Sequence, residues 1–188
     1  MMVISSMVAL IAMSQTKTVT ACVVQGSHDA DPAMSAEYAG YKVSFCCEDC
    51  IPKFKADPAK FIKMASEREA VVAEFLFDPV SHKRVKADKA KATVEHKGVR
   101  YFFASEANKS TFLSAPEKHM KMPEKHALYC PVMKSAVASY SKADFYVDHA
   151  GVRYYTCCAG CNDPLAKDPA KFADASKAVA PPVIMPKA

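Results

Sequence analysis

Gly151-Val-Arg-Tyr-Tyr-Thr-Cys-Cys-Ala-Gly-Cys161 occurs in three versions along the chain. Gly98-Val-Arg-Tyr-Phe-Phe-Ala-Ser-Glu-Ala-Asn108 and Gly40-Tyr-Lys-Val-Ser-Phe-Cys-Cys-Glu-Asp-Cys50 align with it without gaps. The register continues through Phe54, Phe112 and Leu165, then Pro58, Pro116 and Pro169, then Lys60, Lys118 and Lys171. Three of the five glycines fall on one repeat position, where a turn between two strands needs positive φ. Self-similarity of this kind sets the architecture before any single element is considered.

Upstream of each glycine lies a second match: Val19-Thr-Ala-Cys22, Phe75-Leu-Phe-Asp78 and Ala127-Leu-Tyr-Cys130. The spacers from these segments to the glycine are 18, 20 and 21 positions, the small variation expected of a loop. Each unit therefore reads as a short strand, a loop, a strand pair turning at the glycine, and a helix. The helix is expected to start near the second cysteine cluster, with Asp-Pro or Ala-Pro opening another short helix. The fold class is α+β: three small hairpin–helix modules in tandem, at 21–66, 75–120 and 127–177. Ser66 to Glu74 is expected as a helical linker, and 178–188 as a flexible tail.

Hydrophobic residues make up 51% of the 188 residues and charged residues 24%, a globular composition. The net charge of +5 comes from lysines spread along the chain, so no basic stripe points to nucleic acid. Neither GxGxxG nor GxxxxGK[ST] is present, which excludes the usual phosphate-cradling loops. Residues 1–14 are uncharged and largely apolar, too short to span a bilayer but suited to an export signal ending at Ala12-Met13-Ser14. The expected location is thus the periplasm or cell envelope. Val19-Thr20-Ala21-Cys22 also fits a lipobox, with Cys22 as the lipid anchor, but cleavage there would remove part of the first unit.

All eight cysteines sit in the outer units: Cys22, Cys46, Cys47 and Cys50, then Cys130, Cys157, Cys158 and Cys161. Each set is one distant cysteine followed by Cys-Cys-x-x-Cys. Four thiolates suit a tetrahedral metal site, and i,i+4 spacing puts Cys46 with Cys50, and Cys157 with Cys161, on one helix face. A helix N-terminus is expected to lower the thiol pKa there. Cys47 and Cys158 point elsewhere on this geometry and read either as fourth ligands or as thiols open to exchange. Sulfur-only ligation selects Cu(I), Zn(II) or heavier soft ions over Mg or Ca.

The Gly-x-x-Tyr-Tyr-x-Cys-x-x-x-Cys pattern, with its upstream Cys or Asp-Pro-Val, resembles the YHS and TRASH metal-binding modules. That resemblance implies treble-clef-like units linked to heavy-metal transport, sensing and resistance, with a metal transporter or resistance protein as partner. It implies ligands at Cys22, Cys46 and Cys50, and at Cys130, Cys157 and Cys161. The middle unit is similar to a Cys-free YHS variant, with Ala104 and Asn108 in place of the helix cysteines.

The functional expectation is soft-metal binding for sequestration, delivery or sensing, without an enzyme's machinery. Two other classes remain open at this point. One is a disulfide-stapled interaction module with pairs such as Cys22–Cys47, since exported cysteines face oxidation. The other is a dithiol oxidoreductase, for which Cys47-Glu-Asp-Cys50 is a C-x-x-C without the usual βαβ surroundings. Among the histidines, His96 and His149 share the slot of Tyr38 and read as packing residues. His28, His82 and the thioether of Met133 are candidates to complete a site, and His119-Met-Lys-Met122 with His126 is a candidate copper patch.

Overall fold

The computed structural model describes residues 20–186; the expected export signal lies outside them. The architecture is α+β, with small sheets and short helices. The first unit contains β1 (Asp31–Tyr38), β2 (Tyr41–Phe45), α1 (Cys50–Ala56) and α2 (Pro58–Met64). After β3 (Ala73–Phe75), the second unit has β4 (Ala92–His96), β5 (Val99–Phe103), α3 (Glu106–Ser114) and α4 (Pro116–His119). The third has β6 (Lys125–Ala127), β7 (Tyr129–Cys130), β8 (Ser135–Ala136), β9 (Phe145–His149), β10 (Val152–Thr156), α5 (Asn162–Lys167) and α6 (Pro169–Phe172). A last strand, β11, covers Val183–Ile184.

Local sequence accounts for the recurrence. The hairpins turn at Ala39-Gly40, Lys97-Gly98 and Ala150-Gly151, where both central residues have positive φ, the twist that matches right-handed strands. At Gly98 an added Cβ would stand 2.1 Å from the carbonyl oxygen of Ala65, whereas at Gly151 it would meet nothing. The remaining positive-φ residues are Gly26, His82 and Lys134, each four positions after Cys22, Asp78 or Cys130. Every left-handed residue among those described therefore falls on one of three repeat positions. Pro58, Pro116 and Pro169 each occupy the first turn of a short helix, and Asp57 and Asp168 cap α2 and α6 by accepting from the N–H of Lys60 and Lys171.

The sheets fuse the units. Strand order in the largest sheet is β11-β1-β2-β3-β5-β4, followed by β6-β10-β9 and the pair β7-β8. β3 runs parallel to β5 with Phe75 opposite Tyr101, and β6 runs parallel to β10 with Ala127 opposite Tyr154. Both are the same repeat register. β3 also pairs antiparallel with β2, so one strand serves the first and second units together. Ser66–Glu74, expected as a helical linker, is instead a single 3-10 turn followed by extended chain into β3. Val71 and Val72 are buried there, and the Val72 N–H donates to the Gly98 carbonyl, which favours the extended form. Within the expected tail, Val183–Ile184 pairs with Glu37 and Tyr38 at the edge of β1.

One main core runs through all three units. Phe75 and Phe77, from the middle unit, reach Tyr41 of the first and Tyr146 and Tyr155 of the third, while Phe112 of α3 packs on Tyr101 and Phe103. A unit of about 45 residues buries too little surface to be secure alone, and shared rings supply the rest. Arg153 is buried between β9 and the core, held bidentately by Asp148 at 2.7 and 2.8 Å and stacked on Tyr146. Among the described residues, no helix is long and apolar enough to cross a membrane.

Candidate metal centre

Two cysteine triads, one at each end of the repeat, form the candidate site. Cys22, Cys46 and Cys50 place their sulfurs all within 4.8 Å of one another, and so do Cys130, Cys157 and Cys161. Cys22 opens a tight turn closed by the Gly26 N–H donating to the Cys22 carbonyl at 2.7 Å, and Cys130 ends β7. Cys46 follows β2 directly and Cys50 is the first residue of α1. Cys157 follows β10, and Cys161 closes a 3-10 turn ahead of α5.

Convergence therefore differs in origin from the expected pair on one helix face. The hairpin strand continues to the residue before Cys46, so that sulfur comes from the strand end, and only Cys50 comes from the helix. The Cys46 and Cys50 sulfurs are nonetheless 3.8 Å apart. Cys22, Cys50, Cys130 and Cys161 are buried, while Cys46 and Cys157 lie at the partly open side.

Charge is distributed unevenly over each triad. Burial pushes the Cys22 thiol up, but backbone N–H groups of Gln25, Cys46 and Val24 aimed at the sulfur outweigh it, and the pKa is lowered. Cys130 is likewise raised by burial and lowered overall by the N–H groups of Met133 and Cys157, with the Cys157 and Cys161 thiols adding to the effect. Burial and the adjoining sulfurs of Cys47, Cys22 and Cys46 push Cys50 up to about 12, and Cys161 rises strongly for the same reasons. Cys46 and Cys157 also rise, burial first and the thiols of Cys22 and Cys130, respectively, next. The helix-start cysteines thus do not carry the lowered pKa that a helix N-terminus alone suggests; crowded sulfurs oppose it. Three sulfurs this close repel when all are ionised, and a soft cation held among them removes that repulsion. The donor set fits such an ion: all sulfur, mostly buried, with Cys22 and Cys130 supported by N–H groups.

The remaining two cysteines stand outside these groups. Cys47 lies 3.5 Å from Cys50 and 3.9 Å from Cys46, and the Cys50 thiol lowers its pKa. Cys158 is exposed, with its sulfur 3.4 Å from that of Cys161. All eight cysteines are free thiols, and Cys22 faces Cys46 and Cys50 rather than Cys47 as its triad partners.

The middle unit fills the same place with a different bond network. Asp78 stands where the other units have Cys22 and Cys130, and it is fully buried. Its Oδ1 accepts from the N–H of Val80 at 2.8 Å and Ser81 at 3.1 Å, and its Oδ2 from the N–H of Ala104 at 2.9 Å and Nδ2 of Asn108 at 2.6 Å. These are the repeat counterparts of Val24, Gln25, Cys46 and Cys50. A carboxylate and an amide thus do in the second unit what a thiolate cluster can do in the others. The cradle of N–H donors follows from turn geometry and carries no residue-type signature, so sequence reasoning did not find it; the signal available was Asp78 aligned with two cysteines.

The histidine and methionine candidates go elsewhere. Among the described residues, both groups able to hold a metal ion consist of cysteine alone. His82 stacks on Tyr146 with ring centroids 4.4 Å apart, and His96 packs edge-on against Phe112. His126 is buried with Nδ1 2.9 Å from the Tyr155 hydroxyl, and burial followed by the charge of Arg153 lowers its pKa to about 4. Met133 is exposed.

Comparison with known proteins bears on the middle unit. No curated protein and no solved structure matches the chain. Residues 76–122 match the family model of the YHS domain, so this segment, from the end of β3 to just past α4, is a YHS-type module.

Proposed function

We propose that the chain is a binding protein for soft transition-metal ions, Cu(I) or Zn(II), with one site in the first unit and one in the third. The observation that carries this reading is the pair of cysteine triads, each with sulfurs within 4.8 Å of one another. The ligands are Cys22, Cys46 and Cys50 in one site and Cys130, Cys157 and Cys161 in the other. The three hairpin–helix units, 21–66, 75–120 and 127–177, are three treble-clef-like copies of the YHS/TRASH kind. The middle copy has exchanged its ligands for the Asp78–Asn108 network.

The protein is not a catalyst. It is exported by residues 1–14 to the periplasm or cell envelope, where it sequesters, delivers or senses the metal alongside a transporter or resistance protein. Cys22 serves as a ligand and so carries no lipid. Supporting the reading are the all-sulfur donor set and the N–H groups directed at Cys22 and Cys130.

Anaerobic loading with Zn(II) and with Cu(I), followed by metal analysis, tests it. Two ions per chain are expected, with Cys50→Ser losing only the first and Cys161→Ser only the second. Four disulfides without metal, or equal loss at both sites from one substitution, would overturn the assignment.

A further inference from the structure

Cys47 and Cys158 occupy a repeat position whose ordinary use is visible in the middle unit. There Ser105 caps α3, its hydroxyl accepting from the Asn108 N–H at 3.1 Å. Serine is among the best residues at a helix start. In the end units the position is cysteine and the cap is missing: Cys158 starts its turn with no side-chain hydrogen bond, and α1 likewise lacks one. A backbone bond takes the place of the cap, the carbonyls of Cys47 and Cys158 accepting from the N–H of Cys50 and Cys161 at 3.2 and 3.1 Å. A capping hydroxyl has been given up for a sulfur in the two units that carry triads, and kept in the one that does not.

Each of these sulfurs touches the helix-start member of its triad, Cys47 to Cys50 at 3.5 Å and Cys158 to Cys161 at 3.4 Å. Neither belongs to the group of three that converge on one point. The outer partner is the more accessible of each pair: Cys158 is exposed and Cys47 half-buried, while Cys50 and Cys161 are buried. Closing either bridge asks for about 1.4 Å of sulfur travel, within reach of side-chain rotation.

We propose that Cys47–Cys50 and Cys158–Cys161 are dithiols that an external disulfide oxidises, and that closing either bridge withdraws a sulfur from the adjacent triad and frees its cation. This rests on the thiolate-cation reading above. In the first step the Cys158 sulfur attacks one sulfur of a small disulfide, whose S–S bond breaks. The departing sulfur takes the Cys158 proton, leaving a mixed disulfide. The Cys161 thiolate then attacks Cys158, the second small thiolate departs and takes a proton from water, and the Cys158–Cys161 bond forms. Two cysteines lose two electrons in all, the external disulfide gains them as two thiols, and the metal ion keeps its oxidation state. Cys130 and Cys157 alone are left to the ion. The same steps run from Cys47 to Cys50, more slowly because Cys47 is less exposed.

The full chain, loaded anaerobically with Zn(II), is treated with oxidised glutathione. Released zinc is followed with a chromogenic chelator, and bridges are mapped by peptide mass. Zinc is expected to leave in step with a Cys158–Cys161 bridge. Cys158→Ser, with the residue that caps the middle unit, is expected to bind zinc as the parent chain does and to release it from the third unit about tenfold more slowly. Loss of that zinc on making Cys158→Ser would show Cys158 to be a ligand and overturn the inference. So would an unchanged release rate, or a bridge mapped to Cys130 or Cys157. A parent chain that takes up neither Zn(II) nor Cu(I) before oxidant is added refutes the cation reading itself.

Discussion

Asp78→Asn is the sharpest probe of how the middle unit replaces a thiolate cluster. Its two carboxylate oxygens face four donors, two each: Val80 and Ser81 on Oδ1, Ala104 and Asn108 on Oδ2. An asparagine amide has the same shape but only one accepting oxygen. Whichever way it is turned, its NH2 group confronts two donors, so two hydrogen bonds are lost and donors are pressed against donors at a fully buried position. Hydrogen bonds to a charged acceptor contribute about 1.5–3 kcal/mol each, so the pair lost amounts to about 4 kcal/mol. That is a large share of the 5–15 kcal/mol typical of a folded chain, and for a protein of this length it lowers Tm by about 10 °C. Thermal unfolding by circular dichroism, on metal-free protein, reads the shift directly. Asn108→Ala, which removes one donor and leaves three bonds in place, is expected to cost less than half as much. A Tm for Asp78→Asn within about 2 °C of the parent would show that the four contacts do not hold the unit together, and the argument would fail.

Two other outcomes follow from the fold. Gly98→Ala and Gly151→Ala alter the same repeat position, but only the first drives a Cβ into a backbone oxygen, at 2.1 Å. Gly151→Ala is expected to cost the left-handed penalty of about 1–2 kcal/mol and Gly98→Ala clearly more, in urea unfolding; equal costs would refute the close approach as the cause. His126 bears on pH. Its folded pKa is held at about 4 by burial and by the charge of Arg153, against about 6.5 when unfolded. Between those values the unfolded chain binds a proton that the folded chain refuses, so stability is complete above pH 6.5 and falls as pH drops toward 4, by up to about 3 kcal/mol. His126→Asn is expected to flatten that slope relative to the parent chain in unfolding measured from pH 7 to 4.5; parallel slopes would refute the assignment.

What the sequence makes legible here is whatever depends on residue type at fixed spacing. Gly40, Gly98 and Gly151 announce their turns because a left-handed backbone selects for glycine, and the prolines after each helix announce the next one. Cys22 and Cys130 can be matched with the hairpin cysteines because cysteine occurs nowhere else in the chain and the same order, one distant Cys before Cys-Cys-x-x-Cys, recurs in both outer units. The sharing of β3 between β2 and β5 leaves no such mark. Phe75 alternates as any buried strand residue would, and nothing in its spacing says that both of its strand's edges are used. The linker misread as helix shows the same limit: Ser66–Glu74 has helix-forming composition, but the partner for the Val72 N–H is the Gly98 carbonyl, 26 positions away. The position of Cys46 turned on one residue of strand length, which periodicity does not resolve. The donor cradle escapes notice most completely, because backbone N–H groups have no residue type. Yet its existence explains the exchange in the middle unit. A turn that directs two N–H groups, joined by a third from the hairpin end, favours any buried anion placed there. A thiolate needs a cation to balance its neighbours; a carboxylate needs only one more donor, which Asn108 supplies at 2.6 Å. The Asp78 carboxylate therefore occupies the same donor cradle without any sulfur beside it, which is why the middle unit folds without thiolates between two units that carry cysteine triads.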